Sequence, residues 1–440
     1  YRGLKSVGAD VSVAIPHRVK DGYGLNERLI REASAESVDL VLTCDNGIGA
    51  IEQTELAHKL GMTVVITDHH EVHYTETEGG REYSLPDADA IIDPKQSDCK
   101  YPFAGICGAF VAYKFIRYIY ENKLLGDEYE DIYTDTDFDN ELLQYAAFAT
   151  VGDIMELCDE NRVLVKNGLN LMSARPARGI AELIRVQGLC GKQITTYHLG
   201  FVIGPCVNAA GRLDSAMRAF DLLTCENDIE AEKMANDLRE LNESRKSMTD
   251  TAVKDGKEKL TDDMVEVLFL PECHESVAGI VAGRLKEYCH KPVLVATRTD
   301  GKILKGSARS IPAYPLYDEM TKVGDLFLGF GGHSQAAGFS LLQSNFTELR
   351  KRLNANCVLS ERDVQEEVLV DMVLPLCDAT GELADIMDVM EPFGTGNRKP
   401  MFMRTNLRLL RMETMGKTGK YAKLIVADGG VSHELVTFKH

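Results

Sequence analysis

Met62-Thr63-Val64-Val65-Ile66-Thr67-Asp68-His69-His70 is a short β-branched apolar run that ends in an acid and two imidazoles. Such a run reads as a buried strand. Side chains at its carboxyl end lie where open α/β sheets place their ligands. A carboxylate beside two imidazoles unites two ligand types that transition metals accept; the plain alternative is Asp68 capping a turn with both histidines merely exposed. Working outward, Val38–Thr43 is a second run of the same kind, exiting into Cys44-Asp45-Asn46-Gly47-Ile48-Gly49. Between them Ile51, Leu56, Ala57 and Leu60 mark a helix stopped by Gly61. Strand, helix and strand within about thirty residues make a βαβ unit with parallel, neighbouring strands. Asp45 and Asp68-His69-His70 are therefore expected at one edge of one sheet.

A third acid, Asp153, follows the apolar segment Phe148-Ala149-Thr150-Val151. Three acidic points and a histidine pair form an oxygen-rich, imidazole-assisted set, suited to divalent manganese or magnesium in phosphoryl chemistry. Composition bounds the rest. A chain of 440 residues is long enough for two to four domains, and 44% hydrophobic with 27% charged residues is ordinary for a soluble globular protein. No apolar stretch reaches bilayer length and no signal-peptide pattern opens the chain, so no membrane role is expected. The 11 cysteines contain no C-x-x-C pair, which fits a reducing cytoplasm better than a zinc ribbon or a disulfide framework. A net charge of −19 argues against a protein that coats nucleic acid, yet leaves room for a nuclease whose basic groups are confined to a channel. Part of the acidity is local: residues 126–140 carry seven acids and no base, and read as a solvated loop or insertion.

Residues 1–222 alternate strand and helix patterns, the mark of a parallel sheet covered on both faces. Residues 223–262 form a highly charged connector with Ile229, Met234, Leu238, Leu241 and Met248 at helical spacing. It is expected to be an exposed bridging helix. A second α/β region spans 263–359. In 360–440 the strand-like runs Val368–Val373, Met401–Leu410, Tyr421–Ala427 and Leu435–Phe438 suggest a partial OB-like barrel. Three phrases in the second α/β region favour phosphate. His274–Leu285 reads as a loop entering a helix with a small-residue first turn. Ser307-Ala308-Arg309-Ser310 offers hydroxyls and a guanidinium. Gly331-Gly332-His333-Ser334-Gln335-Ala336-Ala337-Gly338 admits close backbone approach, with His333 as a donor. Each alone would read as a tight turn; together they favour a polyanion. Arg18, after Ile15-Pro16-His17, and Arg212, in Asn208–Leu213, each stand beside a turn-forming residue.

In this order the phrases resemble the DHH phosphoesterase superfamily, and within it the RecJ single-strand-specific exonucleases, over essentially the whole chain. Pro392-Phe393-Gly394-Thr395-Gly396-Asn397 is similar to a phrase inside the OB-fold of that family. The resemblance implies a DHH domain (1–222), a connector helix (223–262), a DHHA1 domain (263–359) and an OB-like domain (360–440). It also implies a two-metal Mn2+ or Mg2+ hydrolase of DNA repair and recombination that removes nucleotides from the 5′ end of single-stranded DNA. Asp45, His69 and Asp153 would be metal ligands, His70 would lie beside the scissile phosphate, and Asp68 would orient a histidine. Arg18, Asn208, Arg212, His274, Ser307, Arg309, Ser310, Gly331, Gly332 and His333 would hold the substrate. Single-strand selectivity would come from a narrow channel and from stacking on the OB-like domain. The implied setting is a cytoplasmic monomer meeting single-strand-binding protein and a helicase.

Two departures stand out. The family's first motif, Asp-x-Asp on the first strand, is not found before Asp45. The pattern expects it just upstream of Tyr1, so the chain reads as a piece of a longer reading frame with part of the ligand set outside it. The 440 residues alone are then expected to hydrolyse poorly while still binding single strands. Cys273 also stands where such sequences usually carry an aromatic residue. Two alternatives are weighed. A smaller-substrate DHH phosphoesterase, acting on oligoribonucleotides, phosphoadenosine phosphate or cyclic dinucleotides, is disfavoured by residues 360–440. A non-catalytic single-strand-binding scaffold has no use for Asp45, Asp68, His69, His70 and Asp153 together.

Overall fold

A computed structural model describes the chain except residues 18–20, 23, 78, 127–128, 300, 417–420 and 439–440. The chain forms two compact units, Tyr1–Met155 with Val163–Glu366, and Glu156–Arg162 with Glu367–His440. The first unit begins with α1 (Arg2–Ser6), α2 (Glu27–Ala35), β1 (Leu40–Cys44), α3 (Ile51–Lys59), β2 (Thr63–Thr67), the hairpin β3 (Tyr74–Thr77) and β4 (Gly80–Tyr83), and β5 (Ala90–Ile92). β1, β2 and β5 form a parallel sheet in that order. Val64 and Ile66 are fully buried and pack with Ile30 and Ala57 from α2 and α3, the burial that a β-branched run between two helices demands. Cys44 pairs with Thr67 and Thr67 with Ile92, so the three strands end level. The next residue on each is an aspartate: Asp45, Asp68 and Asp93.

After Ile92 the alternation of strand and helix expected to about residue 222 does not continue. α4 (Gly108–Glu121), α5 (Glu130–Tyr133), α6 (Thr136–Gly152), α7 (Asp159–Ala174) and α8 (Arg178–Val186) follow. A π-helical turn (His198–Ile203), α9 (Gly204–Leu213), α10 (Met217–Thr224) and α11 (Asp228–Glu258) complete the helical stretch. The burial explains the correction: Ile180, Leu183 and Ile184 are buried at the spacing of a helix stripe, not of a strand. The opening also differs from the helix-strand unit expected over Leu4–Ile15, because Ala9–His17 carries no regular structure. The acidic stretch is partly helical rather than a loop. Asp135 caps α6, its carboxylate accepting from Asp137 N (2.9 Å) and Phe138 N (3.0 Å). Acids in a first helical turn complement the helix dipole.

The connector is one helix of 31 residues, α11, roughly 46 Å long at 1.5 Å per residue. It is not an exposed bridge. Ala231, Ala235, Leu238, Asn242, Thr249, Ala252 and Gly256 are buried against α8, α9 and later α12. The buried stripe is made of small and polar residues, so its contrast with the charged face is weak. Beyond it lie β6 (Glu266–Phe269), α12 (Glu275–Cys289), β7 (Val293–Arg298), β8 (Ile303–Arg309), α13 (Leu316–Thr321), β9 (Phe327–His333), β10 (Ala336–Leu342) and α14 (Phe346–Asn356). The strands form a mixed sheet ordered β6-β7-β8-β10-β9, with Val293 and Val295 buried under Val277, Val281 and Leu285 of α12.

The second unit holds β11 (Met372–Val373), α15 (Gly381–Met390), β12 (Phe402–Met403), β13 (Arg408–Met415), β14 (Tyr421–Asp428) and β15 (Val431–Thr437). β13, β14 and β15 form an antiparallel sheet, and β11 pairs with β12 in parallel. The strand expected over Met401–Leu410 is split in two, with Asn406 between the pieces at a left-handed φ of 60°. The strand expected over Val368–Val373 shortens to its last two residues, and a helix capped by Thr380 intervenes.

Glu266 gives a test of the second sheet. It is 1% exposed, and its carboxylate accepts from Thr261 N (3.0 Å) and Thr261 Oγ1 (3.2 Å). Burial raises its pKa above the ordinary 4.5, against the opposing hydrogen bonds from Thr261. In that window the folded state binds more protons than the unfolded state, so the contribution to stability falls as pH rises through it. Glu266→Gln removes the titration. Thermal melts are expected to show the variant gaining on the wild type as pH rises from 4.5 to neutrality, with no gain below 4.5.

Candidate metal centre and phosphate-binding face

Asp68, at the exit of β2, is 1% exposed and saturated by donors. Its Oδ2 accepts from Ile48 N (2.9 Å), and its Oδ1 from His69 N (2.8 Å) and His70 Nδ1 (2.7 Å). Burial pushes the carboxyl pKa up, but these hydrogen bonds outweigh it and the net direction is down. His70 is thereby held through Nδ1, leaving Nε2 as its free ring atom. His69 points the other way: its Nε2 lies 2.9 Å from Asp45 Oδ1 and 3.5 Å from Asp153 Oδ2. The approach is one of charge rather than an aligned hydrogen bond, because both buried ring nitrogens of His69 lack a hydrogen-bond partner. Asp45 raises the His69 pKa, burial opposing; burial, foremost, raises that of Asp153.

Asp45, His69 and His70 each offer a ligand atom, all within 4.8 Å of one another. With Asp153 added, two carboxylates and the buried, unpartnered ring nitrogens of His69 suit a divalent ion of the manganese or magnesium kind. Asp153 reaches this group from the C-cap of α6, not from a strand. Asp45 has a left-handed φ of 65°, which costs a non-glycine residue about 1–3 kcal/mol. Its N–H bonds Thr67 O at 3.0 Å, which ties it to β2.

The substrate residues expected from the sequence separate into two groups. Across the second sheet, His333 pairs with Ala336 and Ala336 with Arg309, while Gly331 pairs with Gly338 and Gly338 with Ser307. Paired residues, and those two apart, share a face. Ser307, Arg309, His333 and Gly331 therefore lie on one face, and a Cβ on Gly331 or Gly338 would meet nothing within 4 Å. A Cβ on Gly279 of α12 would come within 3.0 Å of Arg309 Nη2 and 3.5 Å of Ser307 Oγ, so the helix start borders this open floor. Arg212 of α9 reaches the same helix start, donating from Nη1 to Ser276 O (3.3 Å), and Asn208 is exposed on α9. The other group serves structure. Ser310 is buried with its hydroxyl on Tyr314 O (2.6 Å). Gly332, on the opposite face, has φ 150°, and a Cβ there would sit 2.2 Å from Ala336 O. His274 caps α12 through Nδ1, accepting from Ser276 N (3.2 Å). The glycine-rich phrase is thus a β-hairpin. Arg18 lies outside the described residues.

Residues 1–150 match the N-terminal domain of the DHH family, 262–358 the DHHA1 domain and 370–440 the RecJ OB domain. The single-stranded-DNA-specific exonuclease RecJ of Dickeya dadantii is 33% identical over 441 residues, covering 96% of this chain and 74% of that protein. The chain belongs to the RecJ family. The RecJ of Bacillus subtilis is 34% identical, with 99% of this chain covered but only 53% of the relative, so the chain spans about half the length of that protein. A crystal structure of RecJ from Thermus thermophilus in complex with Mn2+ matches 100% of this chain and 60% of its own at a TM-score of 0.78 and 26% identity.

Two residues bordering the candidate centre escaped the sequence reading. Asp93 follows β5 as Asp45 and Asp68 follow theirs, is 2% exposed, and keeps Oδ2 without a partner. Its signal was present, since Ala90-Ile91-Ile92-Asp93 repeats the pattern of an apolar run ending in an acid. Gly108 carried no signal. It opens α4, and a Cβ there would lie 2.5 Å from both Cβ and Oδ1 of Asp45. Gly108→Ala is expected to displace Asp45 and lower Mn2+ affinity by roughly 10–100-fold, the size of losing an orienting partner. Gly152→Ala, whose Cβ meets nothing within 4 Å, is the matched control and should bind as the wild type does in a calorimetric Mn2+ titration.

Proposed function

We propose that this chain carries the nuclease core of a single-stranded-DNA-specific exonuclease acting from the 5′ end in DNA repair and recombination. The observation that carries the reading is the convergence of Asp45, His69, His70 and Asp153 at the level edge of a parallel sheet in a RecJ-family chain. Asp45, His69 and Asp153 would hold Mn2+ or Mg2+, which supplies Lewis-acid polarisation and a lowered water pKa when bound. Asp68 fixes the His70 ring so that Nε2 is the atom offered to the scissile phosphate. Ser307, Arg309 and His333, with Arg212 and Asn208, would grip neighbouring phosphates, and Gly331 keeps the floor low enough for a backbone to approach. Arg18 is assigned to the terminal phosphate on family likeness alone. His274, Ser310 and Gly332 shape this face rather than touch the strand.

The parts are assigned as a DHH catalytic domain (1–222), connector (223–262), DHHA1 domain (263–359) and OB-like domain (360–440), the last offering stacking surface to bases. No helix among the described residues is long and apolar enough to cross a membrane; a cytoplasmic monomer is the proposed state. Single strands arise by unwinding or persist under protein coats, so a helicase and a single-strand-binding protein are the partners such an enzyme would meet. The test digests single strands labelled at either end, with Mn2+ or with a chelator, using the chain extended to the length of its relatives. Loss from the 5′ end is expected, abolished by chelation. In His69→Ala the rate should fall by more than the roughly 10–100-fold that loss of a mere orienting partner costs. Equal loss from 3′ ends, or undiminished activity in the variant, overturns the proposal.

A further inference from the structure

Arg245 lies on α11 three residues beyond Asn242, which is 1% exposed. Asn242 Nδ2 donates to Cys206 Sγ of α9 (3.4 Å), and Asn242 Oδ1 accepts from Arg245 Nε (3.1 Å). A neutral, buried amide thus holds the guanidinium from behind, through Nε. Among the described residues both terminal nitrogens lack a hydrogen-bond partner and no carboxylate forms an ion pair with the group, Asp250 and Glu243 attracting it only at longer range. This is unexpected in a chain with 68 acids and 49 bases. Other arginines of the same unit have found acids: Arg117 with Asp139, Arg178 with Asp228, Arg350 with Asp263. Arg284 of α12 is engaged by Asp250, yet its charge still opposes that of Arg245; burial and then Arg284 lower the Arg245 pKa.

The location matters as much as the missing partner. α9 meets α11 through Cys206 and Asn242, α11 meets α12 through Asp250 and Arg284, and α9 meets α12 through Arg212 and Ser276. Arg245 therefore sits in the three-helix junction that also carries Arg212. A half-buried guanidinium held from behind with both terminal nitrogens free is preorganised for two oxygens of one anion. A side chain needed only to fill this space would be better served without a charge.

We infer that Arg245 is a phosphate-binding residue for a backbone phosphate of the single strand, interior to the terminal one. The inference rests on the reading that the chain binds single strands. Anisotropy of a labelled, 5′-phosphorylated oligothymidylate, titrated with salt in the presence of a chelator, tests it. Removing one phosphate contact lowers the slope of log affinity against log salt by about 0.7 for single strands. Arg245→Met is expected to show that loss at a temperature where thermal melts show the variant folded, since it leaves the buried Asn242 Oδ1 without its donor. Arg245→Lys keeps the slope, and Lys233→Met, at an exposed site on the same helix, leaves it unchanged. An unchanged slope in Arg245→Met, with the wild type binding, overturns this inference alone. Failure of the wild type to bind single strands overturns the nuclease reading instead.

Discussion

The carboxylate of Asp68 is the constraint on which the candidate centre depends. Burying a charge is costly unless it is fully hydrogen-bonded, and here the bonds come from three places. Ile48 donates from the loop after β1, His69 from the backbone after β2, and His70 from its ring. A hydrogen bond to a charged group contributes about 1.5–3 kcal/mol, which is why the pKa of Asp68 falls despite burial. One carboxylate thus locks the exits of two strands together. It also turns two adjacent histidines to opposite tasks: His70 is tied to Asp68, and His69 is left with both ring nitrogens unsatisfied and Asp45 at 2.9 Å.

Around that buried floor the remaining donors are exposed and held by strain and close contact rather than by burial. Asp45 is left-handed and backed by the start of α4, where only a glycine leaves room. Asp153 ends α6, and the next residue, Ile154, has φ 58° and is 72% exposed. A β-branched residue in that conformation is a genuine outlier. Two of the proposed ligands are therefore associated with strained backbone, a pattern that persists only where surrounding structure over-determines it. Here the over-determination is visible on both sides: Asp45 N bonds Thr67 O at 3.0 Å, and Asp153 N bonds Ala149 O at 2.8 Å.

The legible part of the molecule was the part written in side-chain type and period. The runs before Asp45 and Asp68 alternate with a helix at a spacing that admits one topology, and β1 and β2 pair in parallel as that spacing requires. Acid and imidazole letters mark the donors directly. Apart from Asp93, what the residue types do not announce is written in small residues. Gly108 acts by the space it leaves to Asp45, and a glycine announces neither its neighbour nor its distance. The same holds for α11, whose buried stripe of Ala231, Ala235, Ala252 and Gly256 carries too little apolar contrast to reveal a packed face. Ser310 failed for the converse reason. Its hydroxyl suits a phosphate by type, but the strand turns it inward, onto Tyr314 O.

The net charge of −19 conceals how the acids are spent. Many sit at helix starts, as Asp135 does, or pair with surface arginines such as Arg117 and Arg178. Pairs of this kind contribute little to stability, but they cancel positive charge wherever it is not needed. Arg245, at the α9, α11 and α12 junction, is the contrast. Arg212 bonds a backbone carbonyl, and Arg245 bonds a neutral amide. Local field and global charge are separate quantities. An acidic surface that neutralises its own arginines leaves little positive field elsewhere, and the Arg245 guanidinium, bonded to a neutral amide, stands out against it. Under the proposed function, an acidic chain is the more selective arrangement.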